Sequence, residues 1–167
     1  MKEVMMSIKT AFISLTSTLP GMIQSVLDKK AQQGLIFGVS SLYQFMPQST
    51  MQQAIAHEAV VCSWKTDVTI DECRETWQSK HVETNVLLYG GMIEEQQQVP
   101  HPALKKRDHF LFPLLELVPR LKHPDGSSIM QACSSFGESK LVRKIAKSDL
   151  FDQIQFVEES VDTGDLA

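Results

Sequence analysis

The spacing of apolar residues at the start of the chain predicts a strand and then a helix. Residues 10–16 alternate between apolar and polar side chains, which is the period-two pattern of a strand. Residues 18–33 repeat apolar side chains at helical spacing, with Pro20 suited to the first turn and Gly34 able to end the helix. We therefore expect a first strand that leads into a first helix.

Two further apolar stretches in the middle of the chain predict strands. Residues 35–46 form a long stretch that alternates with period two. One side of this strand is expected to carry its odd-numbered side chains, Phe37, Val39, Ser41, Tyr43 and Phe45. Residues 55–64 are apolar over most of their length, which is typical of a buried, central strand.

A second helix and a fourth strand are predicted next. Thr69 and Glu72 have the spacing of a capping box, and apolar residues recur behind them, so the helix is expected to run to about Ser79. Residues 82–89 alternate as a strand. One face of this strand is expected to carry Glu83, Asn85, Leu87 and Tyr89, and the opposite face Val82, Val86 and Leu88.

The order of these elements predicts the fold class. Strand, helix, strand, strand, helix, strand is the order of an α+β, ferredoxin-like βαββαβ sandwich, in which both helices lie on one side of an antiparallel sheet. We expect a single domain over residues 1–160, which includes C-terminal additions to the sandwich. Residues 161–167 are expected to form a polar, acidic tail.

The C-terminal additions have a less regular pattern. Within the apolar run of residues 110–118, Pro113 is expected to open a short helix or to lie on a turn. Asp125 is expected to cap a further helix that Gly137 ends. The side chains expected to pack inward from that helix are Ile129, Met130 and Cys133. Two short apolar segments are expected to be edge strands or a docked tail, residues 141–145 and 154–157.

The composition is that of a globular protein with one core. The chain has 167 residues, 43% of them hydrophobic and 22% charged, and no stretch approaches the length of a membrane span. Its start lacks the cleavage pattern of a signal peptide, so the cytoplasm is the expected location. A net charge of −4 gives no basic field for binding nucleic acid. Three widely spaced cysteines without a C-x-x-C pair are expected to be packed thiols.

Residues 99–119 hold the most candidate chemistry. His101 lies between two prolines, which prevent regular strand pairing and hold the imidazole on a fixed loop. Lys105, Lys106 and Arg107 follow, and an apolar run anchors them. Cationic donors on a packed base suit a polyanion such as a chain of phosphates. The alternative interpretation is an ordinary loop with a solvated cluster of charges.

Over these same residues the chain resembles the 6-hydroxymethyl-7,8-dihydropterin pyrophosphokinases of folate biosynthesis. The best match is the stretch NVLLYGGMIEEQQQVPHPALKKRDHFLFPLLELVPRLKHPDG, residues 85–126. Weaker agreement runs through AFISLTSTL near the start, VSSLYQFMP at residues 39–47 and EAVV from residue 58. Together these matches cover most of residues 10–136.

The resemblance implies a fold and a reaction. The family fold is the ferredoxin-like sandwich with additions. The implied activity is that of a transferase, which moves the terminal pyrophosphate of ATP onto the pterin hydroxymethyl oxygen and leaves AMP. The implied partners are therefore ATP and a pterin, with Mg²⁺ as the metal. From the charge and the hydropathy we expect no nucleic acid and no membrane as partners.

The resemblance also implies roles for individual residues. The D-x-D pair that holds two magnesium ions in the family aligns with Glu83 and Asn85. His101 and Arg107 match the P-H of the family and its nearby arginine, so they are the expected catalytic residues. Together with Lys105 they are also expected to bind the nucleotide. The residues expected to contact the pterin are Leu42, Pro47, His57 and His109.

Several features depart from the family pattern. Residues 78–81 replace a long, arginine-rich loop that closes over ATP in the family, and they contain no arginine. Asn85 lacks a charge, Glu83 is one methylene longer than aspartate, and Thr16 replaces a loop glycine. These departures predict that catalysis is impaired or absent.

The sequence leaves two alternatives to a working or slow pyrophosphokinase. A non-catalytic relative would keep the fold as a module that binds a nucleotide, a pterin or a partner protein. Nucleic-acid binding through residues 105–107 is disfavoured because no aromatic residues are interleaved on a basic sheet face.

Overall fold

The computed structural model describes residues 8–45, 56–134 and 142–144, the last range by its backbone alone. Its strands are β1 (Lys9–Ser17), β2 (Gly38–Val39), β3 (Tyr43–Phe45), β4 (His57–Thr66), β5 (Glu83–Tyr89) and β6 (Val142–Lys144). Its helices are α1 (Met22–Gln32), α2 (Ile70–Trp77), α3 (Asp108–Leu117) and α4 (Ile129–Ser134). Two short 3₁₀ turns between β5 and α3 cover Glu95–Gln97 and Leu104–Lys106.

The strands form one antiparallel sheet in the order β5-β1-β4-β3-β6, and β2 also pairs with β4. With β2 and β3 taken as one interrupted strand, the predicted strands follow the ferredoxin-like order of fourth, first, third, second. The α+β, ferredoxin-like fold class is therefore confirmed. The additional strand β6 lies in the first of the two C-terminal segments, beside β3. Residues 154–157 and the tail lie outside the described residues, and the domain limit at residue 160 stays a prediction.

The core consists of two layers, one on each face of the sheet. β1 pairs with β4 from Lys9 opposite Thr66 to Ser17 opposite Glu58, and alternate side chains of both strands enter opposite layers. Side chains that build the first layer, beneath α1 and α2, include Ile13, Leu15, Leu27, Cys62 and Trp77. Side chains that build the second layer, beneath α3 and α4, include Phe12, Val61, Leu88, Phe110, Leu114 and Ile129.

A one-residue bulge at residues 40–42 interrupts the predicted second strand. Val39 lies opposite Cys62, whereas Tyr43 lies opposite Ala59, so four steps along this strand match three steps along β4. An extra residue on one strand reverses the alternation of every side chain that follows it. The bulge therefore decides which face β3 presents to α3.

The prediction that the odd-numbered side chains of this strand share one face is wrong for the same reason. Phe37 and Val39 pack in the first layer, as expected for the part of the strand before the bulge. After the bulge begins, Ser41, Tyr43 and Phe45 contact side chains of α3 instead.

A second irregularity lies in β5. The register with β1 shifts by one residue between Phe12 and Ile13. Leu87 and Leu88 consequently both pack in the second layer, and Tyr89 turns to the first. The predicted faces of β5 are therefore wrong for Leu88 and Tyr89, which follow the shift.

The helices before β5 begin and end close to the predicted residues. α1 begins later than predicted because Pro20 and Gly21 form a turn, in which Gly21 has a φ of 81° that glycine adopts without strain. α2 has the predicted capping box, since Thr69 Oγ1 accepts a bond of 3.1 Å from the Glu72 N–H and Glu72 Oε1 accepts one of 2.9 Å from the Thr69 N–H. It ends at Trp77, where the next residue is already extended.

Pro113 lies inside α3, which corrects the prediction that it opens a helix or lies on a turn. A proline at this position removes one hydrogen bond to the preceding turn. Phe110, Leu111 and Leu114 lie on either side of it and are each 0% exposed. Burying these large side chains offsets the lost backbone bond.

α4 confirms two of its three predicted inward side chains. Ile129 and Cys133 are buried, but Met130 is 48% exposed, so that part of the prediction is wrong. Asp125 does not cap this helix, because its carboxylate accepts the Ser127 N–H and hydroxyl instead. Ser128 caps it, with Oγ accepting from the N–H of Gln131 at 3.3 Å. Gly137 lies outside the described residues.

Two predictions from composition can be compared with the structure. Within the described ranges, no helix combines the length and the apolar character needed to cross a bilayer. Cys62, Cys73 and Cys133 are all buried thiols without a disulfide, which confirms that they pack in the core.

Candidate active site

The candidate site lies at one end of the sheet, on the face that α3 covers. β1 and β3 end there, and β4 and β5 begin there, because neighbouring strands are antiparallel. The predicted residues that these elements bring together are His57 at the start of β4, Glu83 and Asn85 at the start of β5, and Arg107 and His109 at the start of α3.

His101 is fixed on the loop between β5 and α3. Its N–H donates to the Leu87 carbonyl of β5 at 2.9 Å, and its Nδ1 accepts from the Ala103 N–H at 3.0 Å. The second contact leaves Nε2 as the protonated nitrogen of the neutral ring. Burial and the Arg107 charge lower the pKa of His101, with Glu83 opposing them. His101 therefore presents a neutral N–H donor from a rigid loop.

A cluster of four aromatic rings links α3 to the sheet. The rings of Phe45 and His109 stack in parallel, with centroids 4.0 Å apart and an angle of 3° between their planes. His57 meets the edge of Phe45 at 5.1 Å, and Phe110 lies 4.7 Å from His109. We call Phe45, His57, His109 and Phe110 the ring cluster.

His109 is a neutral member of the ring cluster. Burial, and next the Arg107 guanidinium, lower the pKa of His109 to about 4, from an ordinary value of 6.5. His57 adds slightly to this lowering, whereas Asp108 and Glu83 oppose it. The His109 ring at neutral pH is therefore an uncharged, flat surface with charged groups around it.

Glu83 and Asn85 lie side by side on β5. Asn85 Nδ2 donates to Glu83 Oε2 at 3.2 Å, and both side chains reach solvent. Magnesium requires about six oxygen ligands, and in proteins one or two carboxylates commonly share it with phosphates and water. Among the described residues no cluster of three or more His, Cys, Asp or Glu side chains exists that would hold a metal. One carboxylate and one amide oxygen fit a single Mg²⁺ ion, and they do not fit a pair of ions.

The cations after His101 have different surroundings. The exposed Arg107 places its guanidinium carbon 5.2 Å from the centroid of Phe110, beside the ring cluster. His101 contacts the same ring at 5.1 Å. Lys105 instead donates to the Asp125 carboxylate at 2.7 Å. The structure thus brings His101 and Arg107 together and gives Lys105 a partner on another loop.

The two remaining predicted pterin contacts are not part of this arrangement. Leu42 is half-buried and packs against the first layer, on the opposite face of the sheet from the ring cluster. Pro47 lies outside the described residues.

The link between α2 and β5 is a tight turn. Ser79 and Val82 form an isolated antiparallel bridge across it, and His81 takes a left-handed φ of 67°. Ser17 Oγ of β1 donates to the His81 carbonyl at 2.8 Å. These contacts hold the four-residue turn against the end of β1.

Two residues of this region were missed by sequence reasoning. Phe45 was assigned to the other face of its strand, because nothing in the alternating pattern reveals a one-residue bulge. Glu116 of α3 accepts hydrogen bonds from the Ser41 N–H, the Ser41 hydroxyl and the Tyr43 hydroxyl, at 2.9, 2.6 and 3.1 Å. A lone acidic residue in the apolar run of residues 110–118 was the available signal for such a contact.

A separate cavity of about 400 Å³ lies at the N-terminus of α2. Its lining includes Lys9, Asp67, Thr69 and Tyr89, and none of the predicted site residues. The ring cluster at the other end of the sheet therefore carries the candidate chemistry.

Comparison with known proteins agrees with this fold. No protein-family model matches the chain. Two solved structures with matching folds are a Plasmodium falciparum HPPK-DHPS variant with pterin and p-hydrobenzoate, and an HPPK-DHPS in complex with substrates. The first has a TM-score of 0.62 and 10% identity, over 84% of this chain and 45% of that chain. The second has a TM-score of 0.62 and 9% identity, over 83% of this chain and 48% of that chain. The fold class is thus the α+β fold of HPPK, the hydroxymethyldihydropterin pyrophosphokinase part of these proteins.

Sequence similarity points to the same class over a shorter segment. A 2-amino-4-hydroxy-6-hydroxymethyldihydropteridine pyrophosphokinase from Aquifex aeolicus is 40% identical over 53 residues, which are 30% of this chain and 33% of that protein. The matched segment therefore spans about a third of this curated relative. The chain therefore shares the fold of these HPPK-DHPS structures, and over this segment its sequence is similar to that of a pyrophosphokinase.

Proposed function

We propose that this protein is a pyrophosphokinase relative of the hydroxymethyldihydropterin type in which pyrophosphate transfer is impaired or absent. The observation that carries the proposal is the Glu83–Asn85 pair. In a site built for two metal ions both residues of the pair would be carboxylates. Here Asn85 is an amide, and it donates a hydrogen bond to the carboxylate of Glu83. An amide lacks the charge that a second magnesium ion requires.

The proposed ligands are ATP and a pterin that carries a hydroxymethyl group. The similarity to the Aquifex aeolicus protein supports this choice, because that protein is named as a pyrophosphokinase of a hydroxymethyldihydropteridine. ATP is the donor that the resemblance of the sequence implies. Transfer of this kind depends on aligning the two substrates and neutralising the phosphate charge.

His101 and Arg107 are the residues proposed to meet the phosphates. The N–H at Nε2 of the neutral His101 ring and the guanidinium of Arg107 both donate to anionic oxygens. They contact the same ring, that of Phe110, at 5.1 and 5.2 Å, so one phosphate chain fits both donors. Mg²⁺ would supply further neutralisation, held by the Glu83 carboxylate and the side-chain oxygen of Asn85.

The tight turn after α2 is the second reason to propose impaired transfer. Gln78, Ser79, Lys80 and His81 make up this turn and provide no arginine. Where an arginine stabilises the charge of a phosphoryl transition state, losing it costs roughly a thousandfold or more in rate.

The alternative function is a non-catalytic module that binds a nucleotide, a pterin or a partner protein. The same turn and the same altered pair favour it, because both affect turnover more than binding. A fold shared with enzymes does not by itself establish a reaction.

A thermal-shift titration tests which ligands the protein accepts. ATP, ATP with Mg²⁺, and 6-hydroxymethylpterin would each be added to the full chain, since a ligand of the native state raises the melting temperature. We expect ATP to raise it, and Arg107→Gln to lose most of that rise. The matched control is Lys29→Gln, on the exposed side of α1 and on the opposite face of the sheet, which should keep it.

Two results would count against the proposal. If ATP gives the same shift in Arg107→Gln as in the unmodified chain, the assignment of the phosphate site is wrong. If neither ATP nor the pterin changes the melting temperature, both ligand-binding forms fail and the protein-binding alternative is favoured.

A further inference from the structure

The Phe45–His109 stack leaves no space for a ligand between its two rings. Their centroids are 4.0 Å apart and their planes are nearly parallel, so the rings are in direct contact. A flat molecule held between two rings needs them about 7 Å apart, because each face-to-face contact takes about 3.5 Å. Phe45 itself is therefore the ring that covers His109.

The surroundings of His109 are those of a binding surface. Its ring is neutral, lies at the end of the sheet and is only half-buried. Arg107, Asp108, Glu83 and His57 are close enough to act on its charge. A flat apolar face bordered by donors and acceptors suits a planar nitrogen heterocycle, which stacks through its face and forms hydrogen bonds through its edge.

Phe45 reaches this position because of the bulge at residues 40–42. Without the extra residue, the Phe45 ring would point into the first layer, on the other face of the sheet. The Glu116 carboxylate fixes the bulged segment by accepting three hydrogen bonds from Ser41 and Tyr43. The ring on His109 is thus held there by contacts that α3 makes with the strand.

We propose that Phe45 acts as a built-in occupant of a ring-stacking slot on His109 and so excludes planar heterocyclic ligands from it. Phe45 is then a specificity-determining residue, because its size decides whether the slot is open. The proposal relies on the proposed function only for the class of ligand, a pterin. The Phe45 ring in the slot is an obstacle to substrate binding, and this obstacle does not depend on the altered Glu83–Asn85 pair or on the short turn.

Binding of pterin without ATP tests this proposal. Fluorescence titration of pterin would give the dissociation constant for the unmodified chain, for Phe45→Ala and for Phe45→Ala with His109→Ala. We expect Phe45→Ala to bind at least about tenfold more tightly than the unmodified chain, which is within the range for one ring stacked on another. Removing His109 as well should abolish that gain.

The matched control is Phe37→Ala. Phe37 is also a buried phenylalanine with an aromatic neighbour, Trp77 at 5.1 Å, but it lies in the first layer. Its loss should cost stability without improving pterin binding. If Phe45→Ala does not fold, Phe45→Thr replaces it, because a β-branched residue suits a strand and is still much smaller than the ring.

Two outcomes would overturn the proposal. One is an unchanged dissociation constant in a folded Phe45 variant, and the other is a gain that persists after His109 is removed. Failure of the proposed function is a separate result, because it is measured as AMP release with ATP present. A variant that binds pterin tightly and also releases AMP at roughly 0.1 per second or faster would support the slot and leave only the proposal of impaired transfer to fail.

Discussion

At the scale of single residues, the chemistry of the site depends on which side chains are uncharged and which are fixed by hydrogen bonds. His101 and His109 are both kept neutral mainly by burial, with Arg107 adding to the effect. Glu116 is held by three donors on the bulged strand. The stack that helps to bury His109 and the hydrogen bonds that hold Glu116 join segments far apart in sequence, so single positions did not reveal them.

The lowered pKa of His109 predicts that the protein loses stability in mild acid. The unfolded chain takes up a proton near pH 6.5 and the folded chain only near pH 4, so the stabilising effect is complete above pH 6.5 and is lost toward pH 4. Each pKa unit represents about 1.36 kcal/mol of stability, and solvent screening around the half-buried ring reduces the total. We therefore expect a loss of about 1–2 kcal/mol.

Urea unfolding at pH 7.5 and pH 4.5 checks this prediction. The variant His109→Gln removes the titrating ring, so its stability should change less with pH than that of the unmodified chain. His101→Gln is the comparison, since the pKa of His101 is lowered too. Identical pH dependence of the unmodified chain and His109→Gln would show that His109 is not buried neutral.

Replacing Glu116 by glutamine should destabilise the bulged strand. Its side-chain NH₂ would face donors from Ser41 and Tyr43, so at least one hydrogen bond to a charged group is lost. The expected cost is about 1–3 kcal/mol, measured by urea unfolding. Glu75→Gln, an exposed change on α2, is the control and should stay within about 0.5 kcal/mol. Equal effects of the two changes would contradict the role given to Glu116.

At the scale of elements, the parts predicted correctly are those that local physics specifies. Thr69 and Glu72 mark the start of α2 because a capping box is built from neighbouring residues. Pro113 was misplaced because tertiary burial outweighs its local cost. The bulges that set the faces of Phe45 and Tyr89 depend on pairing with β4 and β1, which the sequence pattern does not encode.

The capping box gives a prediction for α2. Thr69→Ala should destabilise the protein by about 1 kcal/mol, because the Glu72 N–H loses its acceptor at the helix end. Thr76→Ala, later in the same helix, serves as the control. Its hydroxyl bonds back to the Glu72 carbonyl, which contributes little to a helix, so the change should be close to neutral. A larger loss for Thr76→Ala than for Thr69→Ala in urea unfolding would contradict this account of α2.

At the scale of the whole molecule, the fold and the site differ in how well they were predicted. The ferredoxin-like order and the resemblance to the pterin pyrophosphokinases both followed from the sequence, and the fold comparisons agree with them. The site could not be predicted completely from the sequence. Two of its contacts arise only when distant segments meet, the stack of Phe45 on His109 and the ion pair of Lys105 with Asp125. The central claim is that an HPPK-like fold is combined with a site unsuited to fast transfer.

Release of AMP tests that claim most directly. The full chain would be incubated with ATP, Mg²⁺ and 6-hydroxymethyl-7,8-dihydropterin, with Arg107→Gln and a reaction lacking the pterin as controls for background hydrolysis. Glu83→Asp combined with Asn85→Asp would restore the acidic pair, and it should raise turnover without reaching ordinary enzyme rates, because the turn at residues 78–81 remains short. For the unmodified chain we predict turnover below about 0.01 per second, which is several powers of ten under efficient enzymes. Each tenfold decrease in rate corresponds to about 1.4 kcal/mol of additional activation barrier. Pterin-dependent AMP release at roughly 0.1 per second or faster, within the usual range for enzymes, would contradict the account.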